Sequence, residues 1–272
     1  MKGPELLQAH ANMLKTEVGA CYPGSHAVFR GHDLHVEFKN MDWIELYVFG
    51  ITNRRFSPEQ LRLLQAMWVY TSYIDARIWN IRVAALAGSS RSTPTLGLSA
   101  ALAVSEATIY GGHPFVRAID FIQQALKLVN QSKCLEDVIS NELKIRRIYG
   151  YGRPISSKDE RNAWLLGLAN ELQLDQGPNL KIAFEIERIL LSKNKLLQMN
   201  YAGLVAAFAA DLGFSVKEFH LFVFTIFLGG MPPCYIESSE RPEGTLFPLS
   251  CDHIQYEGVS KRAWHRPDLS EE

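Results

Sequence analysis

The chain has 272 residues, with 28 Lys plus Arg against 29 Asp plus Glu for a net charge of -1; 47% is hydrophobic and 21% charged. That hydrophobic fraction excludes a disordered chain, and the length buries a full core as one large domain, or one plus a smaller one. The near-zero charge excludes the broad attraction on which non-specific nucleic-acid binding depends, and it fits an enzyme of small molecules.

Periodicity is helical nearly throughout. Residues 25–38 are the main exception: Ala27, Phe29, Leu34, Val36 and Phe38 alternate weakly, which predicts a small hairpin about Arg30-Gly31. Ser57-Pro58-Glu59-Gln60 is a helix start, since Ser caps orphan amides, Pro is tolerated at the first helical position and Gln bonds back. Leu61, Leu64, Met67, Trp68 and Thr71 then give one buried face. Residues 84–112 are rich in Ala, Gly and Ser, and read either as a closely packed central helix pair or as a helix carrying a site at its end, at the Gly111-Gly112 turn. Ser157-Lys158-Asp159-Glu160 repeats the capping pattern before a helix to about Leu172.

Two helices follow, Asn179–Leu191 and Tyr201–Leu212, the second closed by Gly213 in a left-handed cap. Ser215-Val216-Lys217-Glu218 starts another over Leu221–Leu228. Residues 234–258 hold Pro242, Pro248 and few periodic apolar positions, and predict an irregular tail. Boundaries near Lys133 and Pro233 divide the chain into a large domain (1–133), a small helical subdomain (134–233) and a C-terminal segment (234–272) that returns to the large domain or to a partner.

Cys21, Cys134, Cys234 and Cys251 form no C-x-x-C pair, so neither a zinc site nor a redox dithiol is expected. His32 and His35 are the only histidines three apart, which is poor metal-ligand spacing. The N-terminal MKGPELLQAH lacks an apolar stretch of signal-peptide length, and Leu221–Met231 is too short to cross a bilayer. The expectation is a cytoplasmic protein with no membrane or nucleic-acid partner and no metal.

Several segments carry a resemblance in chain order. They are Arg30-Gly31-His32-Asp33, Tyr110-Gly111-Gly112, Gly150-Tyr151-Gly152-Arg153-Pro154 with Asp159-Glu160-Arg161, Asn200-Tyr201-Ala202-Gly203, Glu240-Arg241-Pro242 and Tyr256-Glu257-Gly258. Together they resemble the R-G-x-D, H-G-G, G-[FY]-G-H…D-P-R, N-V-D-G and closing segments of the citrate synthase superfamily. The length and the N-Y-A-G segment are closer to its compact citryl-CoA lyase branch. The resemblance implies a mainly α, citrate synthase-like fold with a large and a small helical domain. It also implies a homodimer whose cleft binds an acyl-CoA and an oxo or carboxylic acid for Claisen-type condensation or its reversal, with no permanently bound cofactor and a coenzyme A thioester as substrate. In that family an Asp removes the methyl proton, His residues stabilise the enol and polarise the acceptor carbonyl, and Arg residues clamp carboxylates.

The departures fall on the chemistry. Tyr110 replaces the His of H-G-G, as an aromatic residue also does in compact lyases, and Arg153 replaces the other His. Ala202, or Met199 in a shifted alignment, stands at the base, and neither takes a proton. The clamp arginines fall on Phe227 and Cys251, leaving Arg161 as carboxylate partner. A site with one Arg holds a tricarboxylate poorly, so ordinary citrate synthesis and citryl-CoA cleavage are not expected.

Two readings follow. In the first the chain is an enzyme with altered C–C chemistry. Tyr110 donates to a developing enolate oxygen, Arg153 stabilises its charge, and His113 is the base. Arg161, Asn200, Tyr201 and Phe227 then line the substrate, and Lys158 meets a coenzyme A phosphate at a helix N-terminus. The bland alternatives are a solvated loop residue for His113, a packed helix end for Tyr110, an ion pair for Arg153, a turn-fixing amide for Asn200 and a solvated side chain for Lys158. In the second reading the chain is a non-catalytic homologue that binds a ligand or partner.

Overall fold

The structure is a computed structural model. It describes residues 2–154, 158–193, 195, 197–243, 245 and 250–262, with only the backbone of Cys251. The helices are α1 (Pro4–His10), α2 (Trp43–Thr52), α3 (Pro58–Val69), α4 (Trp79–Ser89), α5 (Pro94–Ser105), α6 (Gly112–Asn130), α7 (Leu135–Ile145), α8 (Glu160–Glu171), α9 (Pro178–Ser192), α10 (Tyr201–Asp211), α11 (Val216–Phe224) and α12 (Met231–Glu240). The mainly α expectation holds.

The hairpin forms, and it is larger at one end than expected. Strands β1 (Gly19–Tyr22), β2 (His26–Phe29) and β3 (His32–Asp33) make one antiparallel sheet in the order β1-β2-β3. Phe29 pairs with His32, so Arg30-Gly31 is a two-residue turn with both residues at positive φ. Residues 34–38 are not strand; Phe38 instead packs edge-on against Phe29 and Phe49.

The reciprocal caps at Ser57–Gln60 and Ser215–Glu218 are both formed. Ser157 lies outside the described residues, and α8 is capped by Asp159, whose side chain accepts from the Arg161 amide. Gly213 follows α10 at φ +79, as its expected left-handed cap requires. Two expectations are corrected. The segment after residue 233 is not wholly irregular: α12 runs to Glu240, because Pro232 and Pro233 stand in its first turn, where no intrahelical amide is needed. The Leu221–Leu228 helix stops at Phe224 and passes through a 3-10 turn at Leu228–Gly230 before α12.

The main core draws apolar faces from α2, α3 and α6 to α11, around Met67, Ile119, Ile122, Ile186, Leu204, Phe208, Phe219 and Phe222. Each large side chain withdrawn fully from water contributes about 1.5–3 kcal/mol. A smaller cluster, Ile81, Ala84, Ala85, Ala101, Met231 and Cys234, joins α4, α5 and α12. The small residues of 84–105 therefore serve three helices, not a pair, and Gly111-Gly112 begins α6 six residues after α5 ends. The run Val216–Glu240 has the length and apolarity of a membrane span, with hydropathy 1.5, yet it is broken between α11 and α12. Both parts pack on the chain's own helices.

Candidate functional site

The loop after Tyr149 meets the starts of α8 and α10. Gly150 has φ +90 and lies against the first turn of α10, where a β-carbon would come 2.9 Å from Gly203 Cα and 3.1 Å from Ala118 Cβ. Asn200 closes the same junction. Its Oδ1 accepts from the Gly203 amide at 3.2 Å, its Nδ2 donates to the Gly152 carbonyl at 2.8 Å, and its own amide donates to the Gly150 carbonyl at 2.9 Å. Asn200 thus fixes the turn, and Asn200→Ala is expected to lower stability by about 1–2 kcal/mol in urea unfolding.

This junction gathers four charged side chains. Asp159, whose side chain is 1% exposed, accepts from Arg161 Nε at 2.8 Å and Nη2 at 2.9 Å, and from the Tyr201 amide at 3.0 Å. Arg153 Nη1 donates to Glu160 Oε2 at 2.9 Å and to the Lys158 carbonyl at 2.9 Å, while its Nε stands 3.8 Å from Asp159 Oδ2. Tyr73 donates to Glu160 Oε1 at 2.7 Å. The Arg161 guanidinium stacks on the Tyr201 ring at 4.4 Å and the Tyr73 ring at 5.2 Å.

The electrostatics follow from these contacts. Burial alone raises the Asp159 carboxyl, but the bonds and charge of Arg161, the Tyr201 amide and Arg153 outweigh it and hold the group below its usual value. Glu160 is held low by its own backbone amide, then by Tyr73 and Arg153. Burial, then the bond to Glu160, pushes the Tyr73 hydroxyl up to about 12, so it stays a donor at neutral pH. Two cations and two anions leave the cluster neutral.

The expected site residues are thus partly gathered. Arg153, Arg161, Asn200, Tyr201 and the Lys158 backbone share the cluster, while the Lys158 side chain is exposed. Arg153 is in the ion pair foreseen as its alternative, and Arg161 is already bound by the chain's own carboxylate. Tyr201 is fully buried, with its hydroxyl on the Met67 carbonyl at 3.1 Å.

His113 sits beside the loop, edge-on to Tyr149 at 5.6 Å, and its Nε2 accepts from Arg117 Nε at 3.3 Å. That bond engages a lone pair that a base would use. Tyr110 is 56% exposed, and among the described residues no bond or ring contact joins it to the cluster. Phe227 packs edge-on to Phe115 at 6.1 Å, in the seam between the two apolar clusters. The side chain of Cys251 lies outside the description.

Tyr73 and the bridging role of Glu160 were not read from the sequence. They lie 87 residues apart, and nothing local marks Tyr73 as a partner. An acid–imidazole pair, His220 Nε2 to Glu106 Oε2 at 3.1 Å, lies near the start of α6. Among the described residues no group of three His, Cys, Asp or Glu side chains is placed to hold a metal.

No protein-family model matches the chain, and no curated protein does. Solved structures do. Citryl-CoA lyase from Hydrogenobacter thermophilus is 21% identical over 93% of this chain and 98% of its own, with a TM-score of 0.81. ATP citrate lyase from Methanosaeta concilii, solved with (3S)-citryl-CoA, is 15% identical over 96% of this chain and 45% of its own, with a TM-score of 0.73. Citrate synthase from Thermoplasma acidophilum, solved with carboxymethyl coenzyme A and oxaloacetate, is 17% identical over 83% of this chain and 59% of its own, with a TM-score of 0.64. The overlay with the first of these spans nearly the whole of both chains, and the chain therefore has the citrate synthase-like fold.

Proposed function

We propose that this chain is a citrate synthase-like enzyme that forms or cleaves a C–C bond beside the carbonyl of an acyl thioester, with a partner acid less charged than citrate. The observation that carries the reading is the neutral cluster of Arg153, Asp159, Glu160 and Arg161 at the junction of α8 and α10. It keeps polar donors at the meeting of two helix starts, but leaves no spare pair of cations for a tricarboxylate. Arg153 stabilises developing negative charge, Tyr110 donates to the enolate oxygen when substrate is bound, and His113 takes the proton at Nε2 once substrate displaces the Arg117 bond there. Lys158 meets a coenzyme A phosphate. The chain works as a homodimer, which native mass measurement tests.

The test is a screen of acyl-CoAs against 2-oxo acids, following free thiol and product mass. Turnover is expected, and Arg153→Ala, His113→Ala and Tyr110→Phe should each slow it, the first two by roughly 10²-fold. Unchanged rates overturn the site. Absence of both turnover and a coenzyme A-dependent thermal shift overturns the enzyme reading. It would favour a non-catalytic binding homologue, which Ala202 and Met199 at the family's base position support.

A further inference from the structure

We infer that Glu160 is a specificity-determining residue: its carboxylate meets Arg153 and Tyr73 from within the chain, where a ligand's carboxylate would otherwise bind, and so selects against an anionic group there. The inference rests on the reading of this cluster as a ligand site, and it adds which ligands that site refuses.

The two carboxylates of the cluster are built differently. Asp159 is 1% exposed and anchors Arg161, Tyr201 and the start of α8, so it belongs to the frame. Glu160 is 58% exposed, and its side-chain partners, Arg153 and Tyr73, are both only part-buried. Its two oxygens take one side-chain donor each, the Tyr73 hydroxyl at 2.7 Å and Arg153 Nη1 at 2.9 Å. A cation and a neutral donor converging on two oxygens of one carboxylate is the arrangement that recognises a free acid. Arg153 does not depend on Glu160 for its place, because the Lys158 carbonyl and Asp159 also hold it. Tyr73 is positioned as well, with its ring stacked on Arg161. Removing the Glu160 charge therefore leaves two oriented donors and one uncompensated positive charge beside solvent.

The experiment titrates the full chain with malonate, without any thioester, by calorimetry and thermal shift. Glu160→Gln is expected to bind malonate at least tenfold more tightly than the unaltered chain, and Glu160→Ala should do the same. The gain should shrink when Tyr73→Phe is added to either variant. Glu59→Gln, which removes an equal charge from another helix start, should bring no gain. Folded Glu160 variants with unchanged malonate affinity would overturn the inference. So would a gain matched by Glu59→Gln, or one indifferent to Tyr73→Phe. Because no turnover is measured, failure of the proposed reaction and failure of this inference give separate results.

Discussion

Gly150→Val should leave little folded protein, and Gly150→Ala should lose roughly 2–5 kcal/mol of stability. The argument has two independent parts. At φ +90 the backbone lies where L side chains are strained, which costs roughly 1–2 kcal/mol. The new β-carbon must also enter space 2.9 Å from Gly203 Cα and 3.1 Å from Ala118 Cβ, an overpacking worth about 1–3 kcal/mol. Neither neighbour yields easily, since Gly203 is backbone in the first turn of α10 and Ala118 is a fully buried residue of α6. Valine adds branched bulk at the same point. The check is urea unfolding of the alanine variant, with yield and circular dichroism for the valine variant. Near-native stability of Gly150→Ala would mean that the loop does not rest on α10 as described. The junction matters for the site because the same contact sets the position of Arg153, three residues on.

Asp159→Asn should cost about 3 kcal/mol, toward the low end for breaking a buried ion pair because Arg153 and Arg161 keep about a fifth of their side chains exposed. For a chain of this length that lowers the melting temperature by roughly 6–12 °C. The pH dependence has a definite sign. The folded Asp159 carboxyl lies below its ordinary value, so the unfolded chain binds more protons as the solution is acidified. The stabilisation is complete above about pH 4, where an unfolded Asp is ionised, and is lost as pH falls through the depressed folded value. The unaltered chain should therefore lose stability on acidification by an increment that Asp159→Asn lacks. Parallel stability curves from pH 7 to pH 3 would overturn that account of the cluster.

How far local pattern carries is clear from particular residues. Ser57 with Gln60, and Ser215 with Glu218, specify their helix starts because donor and acceptor lie three residues apart and need no tertiary partner. Arg30-Gly31 specifies a tight turn for the same reason, as the two residues that reverse the chain are adjacent. The turn-fixing alternative for Asn200 is likewise local, and its side chain caps α10 through the Gly203 amide three residues on. By contrast, α12 reads as irregular because Cys234 to Glu240 offers few large apolar positions, and its partner is α4, far away in the chain.

The sequence by itself determined the mainly α fold and the starts of α3, α8, α9, α10 and α11, to within a residue or two, since these depend on residue type and short spacing. Only the tertiary structure decided what the remaining charges do. Arg153 and Arg161 look in sequence like free cations awaiting a substrate. In the folded chain Asp159 and Glu160 neutralise both, and Tyr73 arrives from the segment that follows α3 to complete the set. Charge compensation depends on distance in space, falling away over a few ångströms, and no local pattern encodes that Tyr73 will stand beside a glutamate 87 residues later.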